Sequence, residues 1–197
     1  MSKTIYQLLP HELGRYKEHL LALDNESRYM RFAFPIDDAR LEKYCDDAFL
    51  KSPSDHKIFV IEDDDLNVIA AGHIAFTGDE VELAMSVLKE HRGNGYGSML
   101  MQHCVEWCQN RGIKKGFMVC LATNAAIKHL AAKHGILATA YGESTADLKI
   151  PDPTPVSVWK EAVETRFAQF EHFGKIQRKF LTKMFEFPLT FINPKHI

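Results

Sequence analysis

The sequence predicts one mixed α/β domain, in which a central mixed sheet is flanked by helices and followed by a helical C-terminal extension. Segments 57–62, 68–76 and 81–88 are rich in β-branched and aromatic residues and are separated by turns, which is typical of antiparallel strands. The third strand runs into a glycine-rich loop and a helix over 97–111, and the apolar run 117–121 follows. This order predicts a strand, loop, helix and parallel strand at the centre of the sheet.

Composition restricts the class of protein. With 197 residues, of which 46% are hydrophobic and 25% charged, the chain is expected to form one domain with a substantial core. The net charge of -2 gives no reason to expect nucleic-acid or membrane binding. The start of the chain lacks an apolar signal segment, and no run approaches the roughly 18 apolar residues that span a bilayer. We therefore expect a cytoplasmic protein.

The remaining segments complete the predicted order. Helices are predicted over 10–23 and 37–49, where Asp37 is the N-cap, and the segment 24–34 between them breaks the helical period. A helix over 124–134 and weaker strands over 136–141 and 147–150 are expected next. We place a domain over 1–150 and, over 151–197, a proline-rich linker with a helix over about 156–172 that packs on it.

The cysteines and the phenylalanine-rich tail are two further features of the sequence. Cys104 and Cys108 lie one helical turn apart, but the four cysteines lack zinc spacing, so we expect buried packing residues and no metal. Seven of the thirteen phenylalanines follow residue 166. This tail could pack on the domain, form a homodimer contact or line a substrate site.

The glycine-rich loop is the most informative motif. Glycines remove Cβ atoms near the backbone, and the free N–H groups and dipole of a following helix suit a pyrophosphate. A dinucleotide-binding G-x-G-x-x-G motif would need glycine at the position of Ser98, and the lysine-containing phosphate loop is absent too. Instead, Arg92, Gly95 and Gly97 match R/Q-x-x-G-x-G/A, a motif that resembles the GNAT superfamily of acyl-CoA-dependent N-acetyltransferases.

The resemblance extends over residues 55–141. It includes the strand MSV at 85–87 and the segment TNAAIKHLAAKHGI at 123–136, which is similar to the family's N-x-x-A-x-x-x-Y-x-x-x-G-F. It implies the GNAT fold, with acetyl-CoA as cosubstrate. The residues that it assigns to the cofactor are Met85, Ser86 and Val87 along the pantetheine arm, Arg92, Gly93, Asn94, Gly95, Tyr96, Gly97 and Ser98 at the pyrophosphate, and Asn124. An N–H near Val87 would polarise the thioester carbonyl.

The expected catalytic groups depart from the common pattern. Ala131 stands where the family usually has an acidic tyrosine, and Val119 where it often has a glutamate. Glu82 remains as the candidate general base. Together with the segment ESRYMRF at 26–32, it resembles a subgroup of GNAT proteins that includes bacterial protein-lysine acetyltransferases. Either Glu82 is the base or it is an exposed carboxylate at the start of a strand.

Two functions remain open. The resemblance implies transfer of an acetyl group to a primary amine, on a small molecule or a protein lysine. The missing acid and base also allow an acyl-CoA-binding sensor with little turnover. A proton donor could be water, Tyr96, Ser98, His129 or His134, and spacing singles out none of them. The acceptor site would be lined by 24–34 and 142–145, where Asp24, Glu26 and Glu143 would suit a cationic amine.

Overall fold

The computed structural model describes residues 3–121, 135–140 and 143–186, together with His129 and Ala132. The strands are β1 (Tyr6–Gln7), β2 (His56–Glu62), β3 (Val68–Thr77), β4 (Glu80–Val87), β5 (Lys115–Leu121), β6 (Gly135–Ala140) and β7 (Glu143–Lys149). The α-helices are α1 (Leu13–Leu21), α2 (Asn25–Phe32), α3 (Asp38–Lys51), α4 (Tyr96–Asn110) and α5 (Pro155–Glu186). The predicted α/β class and mixed sheet are confirmed. The predicted helix over 124–134 lies largely outside the described residues.

The strands form one 7-stranded sheet in the order β1-β2-β3-β4-β5-β7-β6. The first four strands are successive antiparallel neighbours, and β5 then lies parallel to β4 because α4 crosses between them. The antiparallel pair β6 and β7 extends the sheet beyond β5. The parallel step therefore falls in the middle of the sheet, directly after the glycine-rich loop.

Helices cover both faces of the sheet, each over its own apolar cluster. On one face α4 packs Leu100, Met101 and Cys104 against Leu83 and Met85 of β4. On the other face α1 and α3 bury another set of apolar side chains against β2 and β3, among them Tyr16, Leu20, Leu41, Phe49, Ile58 and Val60. Alternate residues of β4 consequently point to opposite helical layers.

The segment 24–34 is the main error in the predicted helices. It was expected to interrupt the helical period, yet residues Asn25–Phe32 form α2. The Asp24 carboxylate caps this helix by accepting from the Ser27 N–H at 2.7 Å, and Ala33 ends it at φ 63°. Its only buried side chains are those of Ser27 and Arg28, so an apolar period could not reveal it.

Helix α5 is much longer than expected, since it is described from Pro155 to Glu186 rather than to near residue 172. One side of the helix contacts β1, β2 and α4. His172 Nδ1 donates to Glu62 Oε2 at 2.9 Å, and the His172 ring stacks on Tyr6 with ring centroids 3.9 Å apart. Arg15 donates to the other Glu62 oxygen at 2.5 Å, so that this buried carboxylate is paired on both sides.

The main contacts of α5 are with β1, β2 and α4. A role as substrate wall therefore finds no support in residues 155–186. The division of the chain into a domain over 1–150 and an extension over 151–197 stays a prediction. Among the described residues, no helix is both long enough and apolar enough to traverse a bilayer.

A close approach between α4 and the sheet gives a first prediction. A Cβ added at Gly72 in β3 would lie 3.0 Å from Cys104 Sγ and 3.2 Å from Met85 Sδ. We expect Gly72→Val to lower the free energy of unfolding by about 1–3 kcal/mol, because the core cannot take the added volume without strain. Urea unfolding measures this change. Gly14→Ala is the control, since its Cβ meets nothing within 4 Å, and a similar loss there would contradict the explanation.

Candidate functional site

A cleft opens between the two parallel strands at the centre of the sheet. The register of β4 and β5 contains two pairs, Val81 with Gly116 and Glu82 with Phe117. Beyond them β4 continues to Val87 and β5 to Leu121 without further described pairing. The strands thus diverge toward their carboxyl ends, and the edge of β4 that faces β5 is left open for a ligand.

The hydrogen bonds to β3 identify which backbone groups line this open edge. The Leu88 N–H donates to Ile69 O at 3.0 Å, so alternate residues before it, including Ser86 and Ala84, also direct their N–H groups toward β3. Met85 and Val87 then direct theirs into the cleft. The Ser86 hydroxyl is likewise engaged, at 2.8 Å from His19 Nε2. Of the three predicted pantetheine residues, Met85 and Val87 present polar groups to the cleft, and Ser86 does not.

His19 holds β4 in place from the other side. Its Nδ1 lies 2.9 Å from Val68 O and therefore carries the proton, so Nε2 accepts from the Ser86 hydroxyl. Burial lowers the pKa of His19 to about 4, which keeps the ring neutral near pH 7. The neutral tautomer connects α1 to the strand that carries the open edge.

The glycine-rich loop closes the wide end of the cleft. Gly93 and Gly95 adopt φ of 80° and 78°, a region that costs other residues conformational energy. Gly95 is the N-cap of α4, and the first helical turn closes with Met99 N–H donating to Gly95 O at 3.0 Å. The N–H groups of Tyr96, Gly97 and Ser98 precede that bond and have no partner within the helix. The loop amides and the helix dipole together make the wide end of the cleft suitable for an anion.

Two predicted cofactor residues support the loop from within the protein. The Asn94 side chain donates back to His91 O at 3.0 Å. The Arg92 guanidinium donates to the Ser27 hydroxyl of α2 at 2.5 Å, beside the capping carboxylate of Asp24. Asp24, expected to suit a cationic acceptor, is thus occupied as a helix cap. These contacts join the loop to α2.

The contact of Arg92 leads to a second prediction. Arg92→Ala should weaken acetyl-CoA binding by about 1 kcal/mol, or roughly fivefold in Kd. The substitution removes the charged contact of Arg92 with Ser27, which supports the loop, while the loop amides remain. Isothermal titration of acetyl-CoA measures this change. Arg40→Ala, on the exposed side of α3, is the control. A loss of several hundredfold would show instead that Arg92 holds the cofactor directly.

Glu82 lies at the narrow end of the cleft. It belongs to the last pair between β4 and β5, and its half-buried side chain points to the layer of α2 and α3, as do those of Ala84 and Ser86. Its charge acts on Arg31 and Tyr44, which places the three groups in one electrostatic environment. Val119 is exposed on the same side of β5, so the position where the family often has a glutamate carries an apolar side chain.

A polar cluster around the buried His73, next to Glu82, was not predicted from the sequence. Arg31 Nη2 lies 3.4 Å from His73 Nδ1, and His73 Nε2 lies 2.9 Å from His56 Nδ1. Because Arg31 can only donate, His73 accepts at Nδ1 and donates from Nε2 to His56. Burial, with Arg31 and His56 adding to it, holds the pKa of His73 well below its usual range. Burial alone would lower the pKa of Arg31, but Tyr16, Tyr44 and Glu82 raise it overall, so Arg31 stays charged.

Other candidates are placed only in part. Asn124, Ala131 and His134 lie outside the described residues, and His129 is exposed. Tyr96 packs against the core cluster under α4, and Ser98 is exposed in the first turn of that helix. Among those that the structure describes, no contact selects a proton donor.

The three cysteines whose side chains the structure describes are packing residues, as expected for Cys104 and Cys108. Cys104 and Cys108 are fully buried in the core under α4, and Cys45 is buried under α3. Burial raises the pKa of Cys108 to about 12 and that of Cys104 well above its usual range. These thiols therefore stay protonated near pH 7.

The diverging strands, the open strand edge and the glycine loop before a helix are typical of acyl-CoA-dependent acyltransferases. Sequence comparison agrees, since the acetyltransferase (GNAT) family profile matches residues 19–136. The chain belongs to the GNAT family. No curated protein sequence matches the chain significantly.

Solved structures share the fold at low sequence identity. The GNAT domain of S. lividans PAT is 18% identical, with 74% of this chain and 89% of that chain covered and a TM-score of 0.60. The PaiA N-acetyltransferase of Thermoplasma acidophilum, solved with coenzyme A, is 16% identical, with 76% and 99% covered and a TM-score of 0.56. The ribosomal-protein-S18-alanine N-acetyltransferase of Escherichia coli is 17% identical, with 78% and 97% covered and a TM-score of 0.55.

Proposed function

We propose that this protein transfers an acetyl group from acetyl-CoA to a primary amine by direct attack in a ternary complex. The observation that carries the proposal is the separation of β4 and β5 beyond Glu82, with the anion-binding loop at the wide end of the cleft. A long, thin cofactor with a pyrophosphate at one end fits this shape. The coenzyme A bound to the PaiA relative supports the same assignment.

The cofactor would extend from the loop along the edge of β4. The pyrophosphate would accept from the amides of Tyr96, Gly97 and Ser98, which need no lysine because the helix dipole adds to them. The pantetheine amides would pair with Met85 and Val87 as an added strand does. Asn124 is proposed as a further cofactor contact on the resemblance alone.

Distances along β4 refine the choice of oxyanion donor. A strand rises about 3.3 Å per residue, so Glu82 is about 10 Å from Met85 and about 17 Å from Val87 between Cα atoms. A base must come within hydrogen-bond reach of the attacking amine, directly or through one water. The Met85 N–H therefore suits the thioester carbonyl better than the N–H near Val87 that the resemblance suggested.

The reaction then follows from these positions. The neutral amine attacks the carbonyl carbon from the side of α2 and α3, and the oxyanion accepts a hydrogen bond from Met85 N–H. Glu82 takes the proton that the nitrogen loses. Collapse of the tetrahedral intermediate breaks the carbon–sulfur bond, and the CoA thiolate leaves and takes a proton from solvent. The cytoplasmic location is part of the same proposal, because acetyl-CoA is available there.

The acceptor is proposed as a class. Glu82 would attract a cationic amine to the narrow end of the cleft, and α2 would form one wall of its path. Both small amines and protein lysines satisfy this chemistry. A thiol-release assay with acetyl-CoA, run over polyamines, aminoglycosides and lysine peptides, tests the proposal and should find at least one acceptor.

A second function is supported by the exposed Val119 and by the undetermined proton donor. The protein would then bind acyl-CoA as a sensor with little turnover. Tight CoA binding without thiol release on any amine would favour this function over acetyl transfer. Absence of acetyl-CoA binding would contradict both functions.

A further inference from the structure

Helix α5 carries a continuous apolar surface on the side that faces away from the domain. The apolar stripe consists of Val156, Trp159, Val163, Phe167, Phe170, Phe173, Phe180, Leu181 and Met184. Trp159 is 71% exposed and Phe170 77% exposed. The stripe runs the length of the helix, about 42 Å at 1.5 Å per residue.

The stripe does not face the domain, so packing against the domain does not explain its apolar residues. Among the side chains of α5 that the structure describes, Ala168, His172 and Lys175 are buried, and helical geometry puts them on the side opposite Phe170. The five aromatic side chains of the stripe, which are 56–77% exposed, alone present roughly 600 Å². That matches the largest apolar patch expected on a whole monomer, and the aliphatic members add to it. Such a surface is typical of an interface.

We propose that two copies of this chain associate through the apolar stripe, with their α5 helices antiparallel and the two-fold axis near Phe170. A two-fold axis makes each contact occur twice, so the surface must complement itself. Phe170 lies midway between Val156 and Met184. Its counterpart in the other copy is therefore Phe170 itself.

Seven of the nine stripe residues have another stripe residue as their counterpart about this point, whereas Val163 and Phe180 are level with Gln177 and Lys160. Phe167 of one copy meets Phe173 of the other, and Val156 of one copy meets Met184 of the other. Gly174 lies among these residues, and a Cβ added there would point into open space. A glycine inside a helix costs about 0.5–1 kcal/mol relative to alanine, and it permits close approach of a second helix.

Charge favours the antiparallel arrangement. Glu164 and Arg178 are exposed on the same flank of the stripe, six and eight residues from Phe170 in opposite directions. Antiparallel helices bring Glu164 of each copy toward Arg178 of the other, whereas parallel helices would bring each charge against its own kind. The mixed charges of this flank suit a protein partner better than an anionic lipid surface, which selects for cationic residues.

The available area is sufficient for a stable dimer. Standard interfaces bury about 800 Å² per partner, and the aromatic and aliphatic members of the stripe together reach this order. The interface would lie at the β1 edge of the sheet. It would leave the cleft between β4 and β5 open in both copies.

Sedimentation equilibrium of the full chain over a dilution series tests the proposal. The wild type should have the mass of two chains. Phe170→Glu should have the mass of one chain at the same concentrations, because it puts two carboxylates at the two-fold axis. Phe34→Glu, an exposed phenylalanine outside α5 that is 51% exposed, should stay a dimer.

Far-ultraviolet circular dichroism and acetyl-CoA binding establish that Phe170→Glu is folded. A monomeric wild type overturns the proposal, and so does a dimer that survives Phe170→Glu. A monomer that floats with phosphatidylserine vesicles overturns it in favour of a lipid surface. A monomer that dimerises only after removal of residues 187–197 overturns it in favour of coverage of the stripe by that segment.

Disulfide trapping tests the orientation independently of folding defects. Mixed chains carrying Val156→Cys and Met184→Cys should form a covalent heterodimer under mild oxidation. Val156→Cys alone should not, because the two positions lie at opposite ends of the antiparallel pair. Efficient trapping of Val156→Cys with itself, or failure of the mixture, contradicts the arrangement.

Discussion

Gly95→Val should weaken acetyl-CoA binding by about 100-fold. The backbone of Gly95 has φ 78°, which a β-branched residue adopts only under strain, so valine would shift the loop and the first amides of α4. Loss of two amide bonds to the pyrophosphate, at about 1.5 kcal/mol each, gives a change of this size. Titration calorimetry measures the Kd.

Gly78→Val is the matched control for this strain. Gly78 has φ 62° in the turn before β4, and a Cβ at either glycine meets nothing within 4 Å. Both variants should lose similar unfolding free energy, about 1–3 kcal/mol, but only Gly95→Val should lose the cofactor. If Gly95→Val binds acetyl-CoA as well as Gly78→Val does, the loop is not the pyrophosphate site.

Glu82→Gln should lower kcat by about 10²–10⁴-fold, the usual contribution of a general base. The variant keeps the shape of the side chain and removes its ability to take a proton. Acetyl-CoA affinity should be unchanged, because the backbone of Glu82 pairs with β3 and β5 rather than lining the open edge. Thiol-release rates with a saturating amine measure this effect, and the acidic limb of the pH–rate profile should change with it.

Glu80→Gln is the control for charge on the same side of β4. Glu80 lies two residues earlier and pairs with Lys115 at 3.6 Å. Its removal should leave kcat within a few-fold of the wild type, since the carboxylate lies outside the narrow end of the cleft. Equal losses in both variants would assign the effect to general electrostatics, and an unchanged pH profile in Glu82→Gln would exclude the base.

The sequence predicted the centre of this fold well. Residues 57–121 are dominated by one strong strand pattern and one amphipathic helix, and their order, turns and parallel step are as expected. The glycines of the loop could be found because a left-handed backbone leaves a residue-type signature. Local preferences and tertiary structure agree in this part of the chain.

Other features could not be predicted from the sequence because they depend on how distant segments pack together. Arg31, His56 and His73 are far apart in sequence, and they meet beside Glu82 only because of the register of β2, β3 and β4 and the position of α2. Whether Ser86 or its neighbours Met85 and Val87 present backbone N–H groups to the cleft likewise depends on which strand each amide faces. Helix α2 left no apolar period, because its buried side chains are those of Ser27 and Arg28. Helix α5 keeps its apolar spacing to Met184, but these residues face outward rather than onto the domain.

Backbone amide chemical shifts, recorded while coenzyme A is added, test most directly whether the cofactor lies in the cleft between β4 and β5. We predict that the amides of Met85 and Val87 and those of residues 96–98 shift strongly. The amides of Ala84 and Ser86, which bond to β3, and those of α5 should shift little. Strong shifts confined to other parts of the chain, with residues 85–98 unaffected, would contradict the assignment of the site.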